Sequence, residues 1–225
     1  MSLTLVATPI GHPDDLTLRA IEVLKSADLI LGEERRELMP FLKRLGLEKK
    51  PVDFLNEHSK PRDLDVFVED CRQKNVALVS DCGTPGFCDP GADLVSLCRK
   101  AEIPVTSVPG ASSLMMLLSL AGVNRAGQKL DQFVFLGFLP LDKNKRQKAI
   151  LQIKKEIRPM IVMDTPYRLT RLLDELSLVL GEREALLACD LTTQDELIYE
   201  GTLQQIQKKV GEKKAEFLLL VRESI

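Results

Sequence analysis

Aromatic residues, histidines and cysteine pairs are scarce in this sequence of 225 residues. There is no tryptophan, and there are only two tyrosines and two histidines. Because single-stranded bases stack on aromatic rings, recognition of nucleic acid by stacking is limited. The five cysteines form no Cys-x-x-Cys pair, and the two histidines do not complete the spacing of a metal centre. We expect reduced thiols in a cytoplasmic protein that binds no metal.

Long apolar runs and a strong net charge are also missing. No apolar stretch reaches the roughly 18 residues that would predict a membrane span, and the N-terminus lacks the basic start of a signal peptide. A formal net charge of −2 argues against unspecific coating of nucleic acid, although it leaves room for a local basic patch. The length suffices for one large domain or two small ones, each with its own core.

In the first half of the chain, short β-like runs alternate with segments of helical length. The predicted strands are 3–7, 28–32, 51–55, 76–80 and 104–108. The predicted helices are 15–26, 35–45, 62–74, 91–100 and 111–121, and Asp14 or Asp15 is placed to cap the first of them. Such alternation predicts a mainly parallel sheet with helices on both faces.

The second half has a different pattern of predicted strands and helices, which begins after a polar, glycine-containing segment at 124–131. Predicted strands follow at 133–138, 160–164, 185–191, 197–200 and 216–222, with helices at 143–157 and 167–180. The last three strands lie close together in sequence, which favours a mixed sheet with antiparallel neighbours. We therefore predict two α/β domains, 1–126 and 127–225, with a mainly parallel N-terminal sheet and a mixed C-terminal sheet.

A loop rich in glycine and proline follows the fourth predicted strand, from Ser80 through Asp81 to Gly91. Glycine lets the backbone approach a ligand closely, and proline fixes the path of the chain. Similar loops follow the first strand, at 7–17, and the fifth, at 109–113. Since ligands of open α/β folds bind at the carboxyl ends of strands, we expect these three loops to form one site.

Several classes of ligand and reaction are excluded because the sequence lacks their motifs. The sequence has no Gly-x-Gly-x-x-Gly dinucleotide motif, no phosphate-binding P-loop motif and no Gly-x-Ser-x-Gly nucleophile elbow. It offers a carboxylate, Asp81, at a strand end beside hydroxyl groups and turns. Such a site suits a ligand with ammonium, hydroxyl and adenine groups but no phosphate, as in S-adenosylmethionine.

Three motifs resemble those of the tetrapyrrole methylase superfamily, closest to the branch that 2′-O-methylates a cytidine of small-subunit ribosomal RNA. They are Thr8-Pro9-Ile10-Gly11, Ser80-Asp81-x-Gly83-Thr84-Pro85 and Val108-Pro109-Gly110. The resemblance extends in order over nearly the whole chain. It implies two α/β domains with S-adenosylmethionine in the cleft between them, a homodimer, and ribosomal RNA or the small ribosomal subunit as partner.

The resemblance also implies which residues bind the cofactor. In the first domain they are Pro9, Asp81, Gly83 and Thr84, followed by Ser112, Ser113 and, further along, Met163. Backbone around Leu191 and Ala215 completes the implied pocket.

Methyl transfer from a sulfonium is an in-line displacement, for which alignment of the reactants supplies about 7–11 kcal/mol. A ribose hydroxyl is a poor nucleophile, so a base adds roughly 10²–10⁴-fold; the candidates are Glu34, His58 and Asp164. The cations that we place against the substrate are Arg36, Lys60 and Arg168, with Lys145 and Arg146 from a basic run. The helix at 143–157 is expected to turn Ile150, Leu151 and Ile157 inward and its cations outward.

Two other functions remain open, because stretches near the substrate side depart from the branch pattern. Glu33-Glu34-Arg35-Arg36 stands where that branch typically has Glu-Asp-Thr-Arg, and Thr165-Pro166-Tyr167-Arg168 stands where it has Ser-Pro-His-Arg. One alternative is carbon methylation of a tetrapyrrole, which needs cations facing carboxylate side chains. The other is a non-catalytic relative that binds the cofactor without turnover.

Overall fold

The computed structural model describes residues 1–89 and 91–223, so Pro90 of the long glycine and proline loop lies outside the described residues. The chain divides into two compact units, Met1–Ser112 and Ser113–Ile225. The division precedes the polar segment at 124–131, because helix α5 (Ser113–Leu120) packs against a strand of the second unit. None of the helices in the described ranges is long and apolar enough to cross a bilayer.

The first unit is a five-stranded parallel sheet with four helices. Its strands are β1 (Ser2–Val6), β2 (Leu29–Gly32), β3 (Val52–Phe54), β4 (Asn75–Leu78) and β5 (Val105–Val108). Its helices are α1 (Leu18–Ser26), α2 (Arg35–Arg44), α3 (Pro61–Gln73) and α4 (Gly91–Lys100). The strand order is β3-β2-β4-β1-β5, with every pairing parallel. The predicted parallel sheet is confirmed.

Each face of this sheet has its own apolar core. Successive residues of a strand point to opposite faces, so Ile30 packs with Leu24 and Leu42 of α1 and α2. Its neighbour Leu31 packs on the other face with the cluster formed by α3 and α4, which includes Phe67. The helices therefore cover both faces, as the alternation predicted.

The second unit is a mixed sheet, as predicted. Its elements after α5 are β6 (Val134–Phe138), α6 (Lys143–Ile153), β7 (Met160–Asp164), a 3₁₀ turn (Pro166–Arg168), α7 (Leu169–Leu180), β8 (Glu184–Cys189), β9 (Leu197–Thr202), α8 (Leu203–Val210) and β10 (Phe217–Val221). The order is β6-β7-β10-β8-β9, in which β6 and β7 are parallel and the other pairs are antiparallel.

At α1 and at α8, the structure differs from the local expectations. Helix α1 is capped by Thr17, whose Oγ1 accepts from the Ala20 N–H at 3.1 Å, and not by Asp14 or Asp15. Helix α8 was not predicted, although Thr202 and Gln205 form a capping box at its start. Its polar composition of glutamines and lysines concealed the apolar face that it buries.

Helix α6 is shorter and rotated relative to the prediction. It ends at Ile153, and Ile157 lies beyond it with 71% of its surface exposed. Ile150 is buried as expected, whereas Leu151 is 52% exposed. Arg146 points inward, so the expectation that all cations of this helix face outward is wrong for that residue.

Candidate functional site

The three glycine and proline loops of the first unit meet at one edge of its sheet, as predicted. Strands β4, β1 and β5 are neighbours, so the loops that follow them emerge side by side. The backbone N–H of Thr8 donates to the Gly83 carbonyl at 2.9 Å, and its hydroxyl donates to the Ser80 carbonyl at 3.1 Å. The Thr84 hydroxyl donates to the Ala111 carbonyl at 3.0 Å. Neutral hydrogen bonds thus connect all three loops.

Two glycines are required by the closeness of these loops. Gly83 has φ +84°, and a Cβ placed there would lie 3.1 Å from the Ile10 side chain. A Cβ on Gly110 would lie 2.7 Å from the Cβ of Ala7, which is too short to tolerate without a shift of backbone. The edge is therefore built from main chain at close range, with little side-chain bulk.

Asp81 lies half-buried at the end of β4 and links it to the end of β2. Its Oδ1 accepts from the backbone N–H of Glu34 at 3.1 Å. Burial raises the pKa of Asp81, and the charges of Glu37 and Glu34 act in the same direction, against the lowering by that hydrogen bond. Burial also raises the pKa of Glu33, with the charges of Asp81 and Asp89 adding to it. This edge is electrostatically unfavourable to further negative charge.

A cavity of about 330 Å³, the first cavity, lies beside Asp81. Thr8 and Pro9 form one wall, and Leu38 and Phe41 of α2 form another. Arg44 at its rim is ion-paired with Asp14 of the loop after β1. Mostly apolar walls with few polar groups are typical of a small-molecule site.

A second cavity in the first unit has a volume of about 410 Å³ and an acidic lining. Its lining includes Glu33, Glu57 and Asp89. The predicted residues His58 and Lys60 do not line it: the His58 side chain is 84% exposed, 3.7 Å from Glu57, and Lys60 precedes α3 as its N-cap. Glu34 and Arg36 are likewise exposed at the start of α2.

The predicted cofactor residues of the second half gather at one edge of the second sheet. Met163 lies at the end of β7, where it pairs with Leu218 of β10. Leu191 and Ala215 are both buried, and they flank the adjoining ends of β8 and β10. Of the remaining predicted cofactor residues, Ser112 ends the first unit and Ser113 begins α5 of the second.

The loop after β8 is held in a demanding conformation. Asp190 and Thr192 have φ values of +49° and +65°, which L-residues adopt rarely. Asp190 accepts from the Glu216 N–H at 3.0 Å and lies 3.5 Å from the Lys213 ammonium. Burial raises the pKa of Glu216, helped by the charge of Asp190. Strain of this kind clusters at functional sites.

Five charged side chains form what we call the ion-pair ladder at the end of β7. They are, in order, Arg168, Asp164, Arg146, Glu175 and Arg171. The Arg146 Nη1 donates to Asp164 Oδ2 at 2.9 Å and its Nε donates to Glu175 Oε2 at 2.6 Å. Burial lowers the pKa of Arg146, but Glu175 and Asp164 outweigh it and the pKa is raised. Arg146 is a permanent cation.

The ladder corrects two of the predicted roles. Arg146 is only 2% exposed, so it does not present its charge to a phosphate at the surface. Both Asp164 oxygens accept hydrogen bonds, from Arg146, Arg168 and the Thr165 N–H, which leaves that carboxylate poorly placed to take a proton. Lys145, in contrast, is exposed on α6, where the sequence placed it.

Sequence reasoning missed Glu175 and the bracing role of Thr8. Glu175 follows Arg171 by one helical turn on α7, a spacing that predicts an ion pair but not a buried partner from α6. Thr8 lies in a quoted motif, yet only the contact of the loops shows that its hydroxyl is buried. Among residues 1–89 and 91–223, no group of three or more His, Cys, Asp or Glu is arranged to hold a metal ion.

Comparison with known proteins gives a consistent set of similarities. The family model of the tetrapyrrole (corrin/porphyrin) methylases matches residues 2–207. The chain is 36% identical over 222 residues to "Ribosomal RNA small subunit methyltransferase I" of Synechocystis sp., covering 97% of this chain and 78% of the relative. The protein of the same name from Thermotoga maritima is 34% identical over 212 residues, with 94% and 93% coverage.

A solved structure shares the fold at low sequence identity. Uroporphyrin-III C-methyl transferase from Thermus thermophilus, complexed with S-adenyl homocysteine, matches with a TM-score of 0.65 and 18% identity. The match covers 99% of this chain and 98% of that one. The two-sheet architecture is therefore one that other proteins of known structure adopt.

Proposed function

Because this chain belongs to the tetrapyrrole (corrin/porphyrin) methylase family and is a methyltransferase, we propose that it 2′-O-methylates a ribose of small-subunit ribosomal RNA, using S-adenosylmethionine. The proposal that the substrate is RNA rests on one observation. Relatives named for small-subunit ribosomal RNA methylation match 94% or more of this chain at 34% to 36% identity. An RNA substrate of this kind also supports a cytoplasmic location, which is part of the proposal.

For the cofactor, we propose the edge where the three loops of the first unit meet. Pro9, Asp81, Gly83 and Thr84 all belong to that edge, where main-chain groups lie close together. Asp81 supplies a carboxylate suited to an ammonium or hydroxyl group, and its raised pKa reflects a position that is costly without such a partner. In the second unit, Met163, Leu191 and Ala215 are the proposed cofactor-binding residues.

Methyl transfer requires mainly that the attacking hydroxyl and the methyl group of the cofactor be aligned. S-adenosylmethionine supplies the methyl group on a positively charged sulfur, which is already a good leaving group. The loops of the first unit hold the cofactor through backbone contacts, and rigid glycine-dependent packing keeps its position fixed. For the ribose proton, Glu34 and His58 keep exposed side chains, so they fit the role of proton acceptor better than Asp164 does.

For the RNA, we propose contacts from exposed cations. Lys145 lies on α6 beside the exposed Lys143 and Lys148, and Arg36 and Lys60 are exposed at the starts of α2 and α3. Phosphates bind such cations without sequence preference. The homodimer implied by the family resemblance remains part of this proposal.

The test combines binding with methyl transfer. Calorimetric titration of the purified protein with S-adenosylmethionine measures cofactor binding, and tritiated methyl transfer to unmethylated small ribosomal subunits measures the reaction. Binding plus incorporation into RNA, both abolished by Asp81→Ala, is the expected result. Ser119→Ala, an exposed helix position in the second unit, is the matched control and leaves both unchanged.

Other outcomes separate the remaining functions. Binding without incorporation into ribosomal subunits, followed by methylation of a uroporphyrin-type tetrapyrrole, would overturn the RNA substrate and retain the cofactor. Binding without transfer to either substrate would indicate a non-catalytic relative. Absence of binding to S-adenosylmethionine would contradict both the proposed cofactor and the proposed reaction.

A further inference from the structure

The ion-pair ladder is more cationic than its own carboxylates require. Three guanidinium groups face two carboxylates, so the ladder carries one excess positive charge. Burying ion pairs seldom stabilises a protein more than apolar packing of similar volume would. Stability alone therefore does not account for a buried arginine at this position.

The hydrogen bonds run from the buried centre of the ladder at Arg146 to its partly exposed end at Arg168. Arg146 fixes Asp164 Oδ2, and the other oxygen of Asp164 accepts from the Arg168 Nη1 at 3.3 Å. The side chain of Arg168 is partly exposed, and it lies in the 3₁₀ turn directly after β7. The orientation of Arg168 therefore depends on Asp164, and the orientation of Asp164 depends on Arg146.

The ladder also has more donors than acceptors. The buried Arg146 Nη2 finds no acceptor among the residues that the structure describes. Both carboxylates are already shared between two arginines each, so the arrangement cannot neutralise a further cation. The excess positive charge favours the approach of an anion to the partly exposed guanidinium of Arg168.

From this arrangement we propose that Arg146 is a positioning residue, which acts through Asp164 to hold the Arg168 guanidinium for contact with a phosphate of the RNA substrate. The inference rests on the proposed function, because it requires an RNA substrate. A guanidinium fork fixed in one orientation matches the oxygens of a phosphate in two hydrogen bonds, whereas a mobile one loses that advantage.

The test is the salt dependence of RNA binding, because each phosphate contact contributes to the slope of log Kd against log salt. The probe is protein-free small-subunit ribosomal RNA, and the variants are Arg168→Gln, Arg146→Met and the double variant. We expect each single variant to reduce the slope by about one, and the double variant to reduce it by the same amount. Arg125→Gln is the control, since Arg125 is exposed and ion-paired with Glu184 at the start of β8, which is not a member of the ladder.

A second variant keeps the test valid where Arg146→Met does not fold. Arg146→Lys retains the charge but cannot contact both carboxylates through a fork. We expect it to raise the KM for RNA while kcat and the affinity for S-adenosylmethionine stay near the wild-type values. A purely structural role would change neither KM nor the salt slope in a folded variant.

Each result decides the inference. A reduction by about two in the double variant would mean that Arg146 contacts its own phosphate, and a wild-type slope in folded Arg146 variants would mean that it only stabilises the fold. Both results overturn the inference. Wild-type protein that binds the RNA without methylating small subunits would instead overturn the proposed function, while the slopes still decide the role of Arg146. Failure of the wild type to bind RNA overturns both.

Discussion

The two sheet edges, one in each unit, that contain the proposed binding residues are stabilised by different interactions. In the first unit, hydroxyl and backbone groups of Thr8, Gly83 and Thr84 join the loops through neutral hydrogen bonds. In the second, buried charges of Arg146 and Asp164 join a helix to a strand end. Neutral contacts at close range fix the path of the backbone, whereas an ion pair fixes the direction of one side chain. The first edge therefore suits a folded cofactor, and the second suits an oriented cation.

The largest expected effect comes from removing the centre of the ladder. Arg146→Ala leaves the buried Asp164 and the partly exposed Glu175 carboxylates without their shared partner, which we expect to lower the free energy of unfolding by about 3–5 kcal/mol. Urea denaturation followed by circular dichroism measures it. The control Arg125→Ala removes an ion pair whose arginine is exposed and should cost about 0–1 kcal/mol. Equal losses in the two variants would show that the ladder is no stronger than a surface pair.

A methyl group at the first edge should have the next largest effect. Gly110→Ala brings two Cβ atoms to 2.7 Å, and we expect a loss of about 1–3 kcal/mol from overpacking. Affinity for S-adenosylmethionine should fall with it, since the loops must separate.

The combination with Ala7→Gly is the control for that prediction. It moves the methyl group from one loop to the other and should recover part of the loss, so the two changes are not additive. Strict additivity in thermal denaturation would show that the contact between the loops is not what limits this position.

The bracing hydroxyl at the first edge should have a smaller effect. Thr8→Val keeps the shape and the backbone hydrogen bond to Gly83 but removes the donor to the Ser80 carbonyl. We expect a loss of about 1 kcal/mol. Thr4→Val is the matched control, because its hydroxyl forms an exposed hydrogen bond with that of Thr106 on β5, and it should change stability by less than about 0.5 kcal/mol. Chemical denaturation of both variants gives the comparison.

Replacing Asp81 should cause the smallest change in stability, and this change has the opposite sign, because the variant is expected to be more stable than the wild type. Since its pKa is raised in the folded state, its contribution is fully present below the ordinary value of 3.8 and is lost as pH rises through the folded pKa. Asp81→Asn removes that loss, so the variant should be slightly more stable than wild type at pH 7 and lose the advantage below the ordinary pKa. Its affinity for S-adenosylmethionine should nevertheless fall.

Denaturation and calorimetry across pH measure both properties of Asp81→Asn. Lower stability of the variant at neutral pH would show that Asp81 braces the loops and does not serve a ligand. Unchanged cofactor affinity would remove Asp81 from the proposed pocket.

Sequence patterns predicted the first edge better than the second, for a physical reason. Glycine and proline act through the backbone at their own positions, so the loop at Asp81 and Gly83 could be recognised from a single stretch of residues. The ladder depends on which way α6 turns about its axis, and the charged neighbours of Arg146 pointed to a solvated face. The burial of Arg146 is seen only in the structure, where it pairs with both Asp164 of β7 and Glu175 of α7.

The interior position of β1 in its sheet has a consequence for how the protein is made. This strand precedes both of its partners by a long stretch of chain: in β4, Asn75 pairs with Ser2, and in β5, Val105 pairs with Leu3. Its hydrogen bonds and apolar side chains therefore stay uncovered until almost the whole first unit has been synthesised. Non-local pairing of this kind delays folding and exposes strand edges to association. During translation, β1 thus appears well before the two strands that complete its hydrogen bonding.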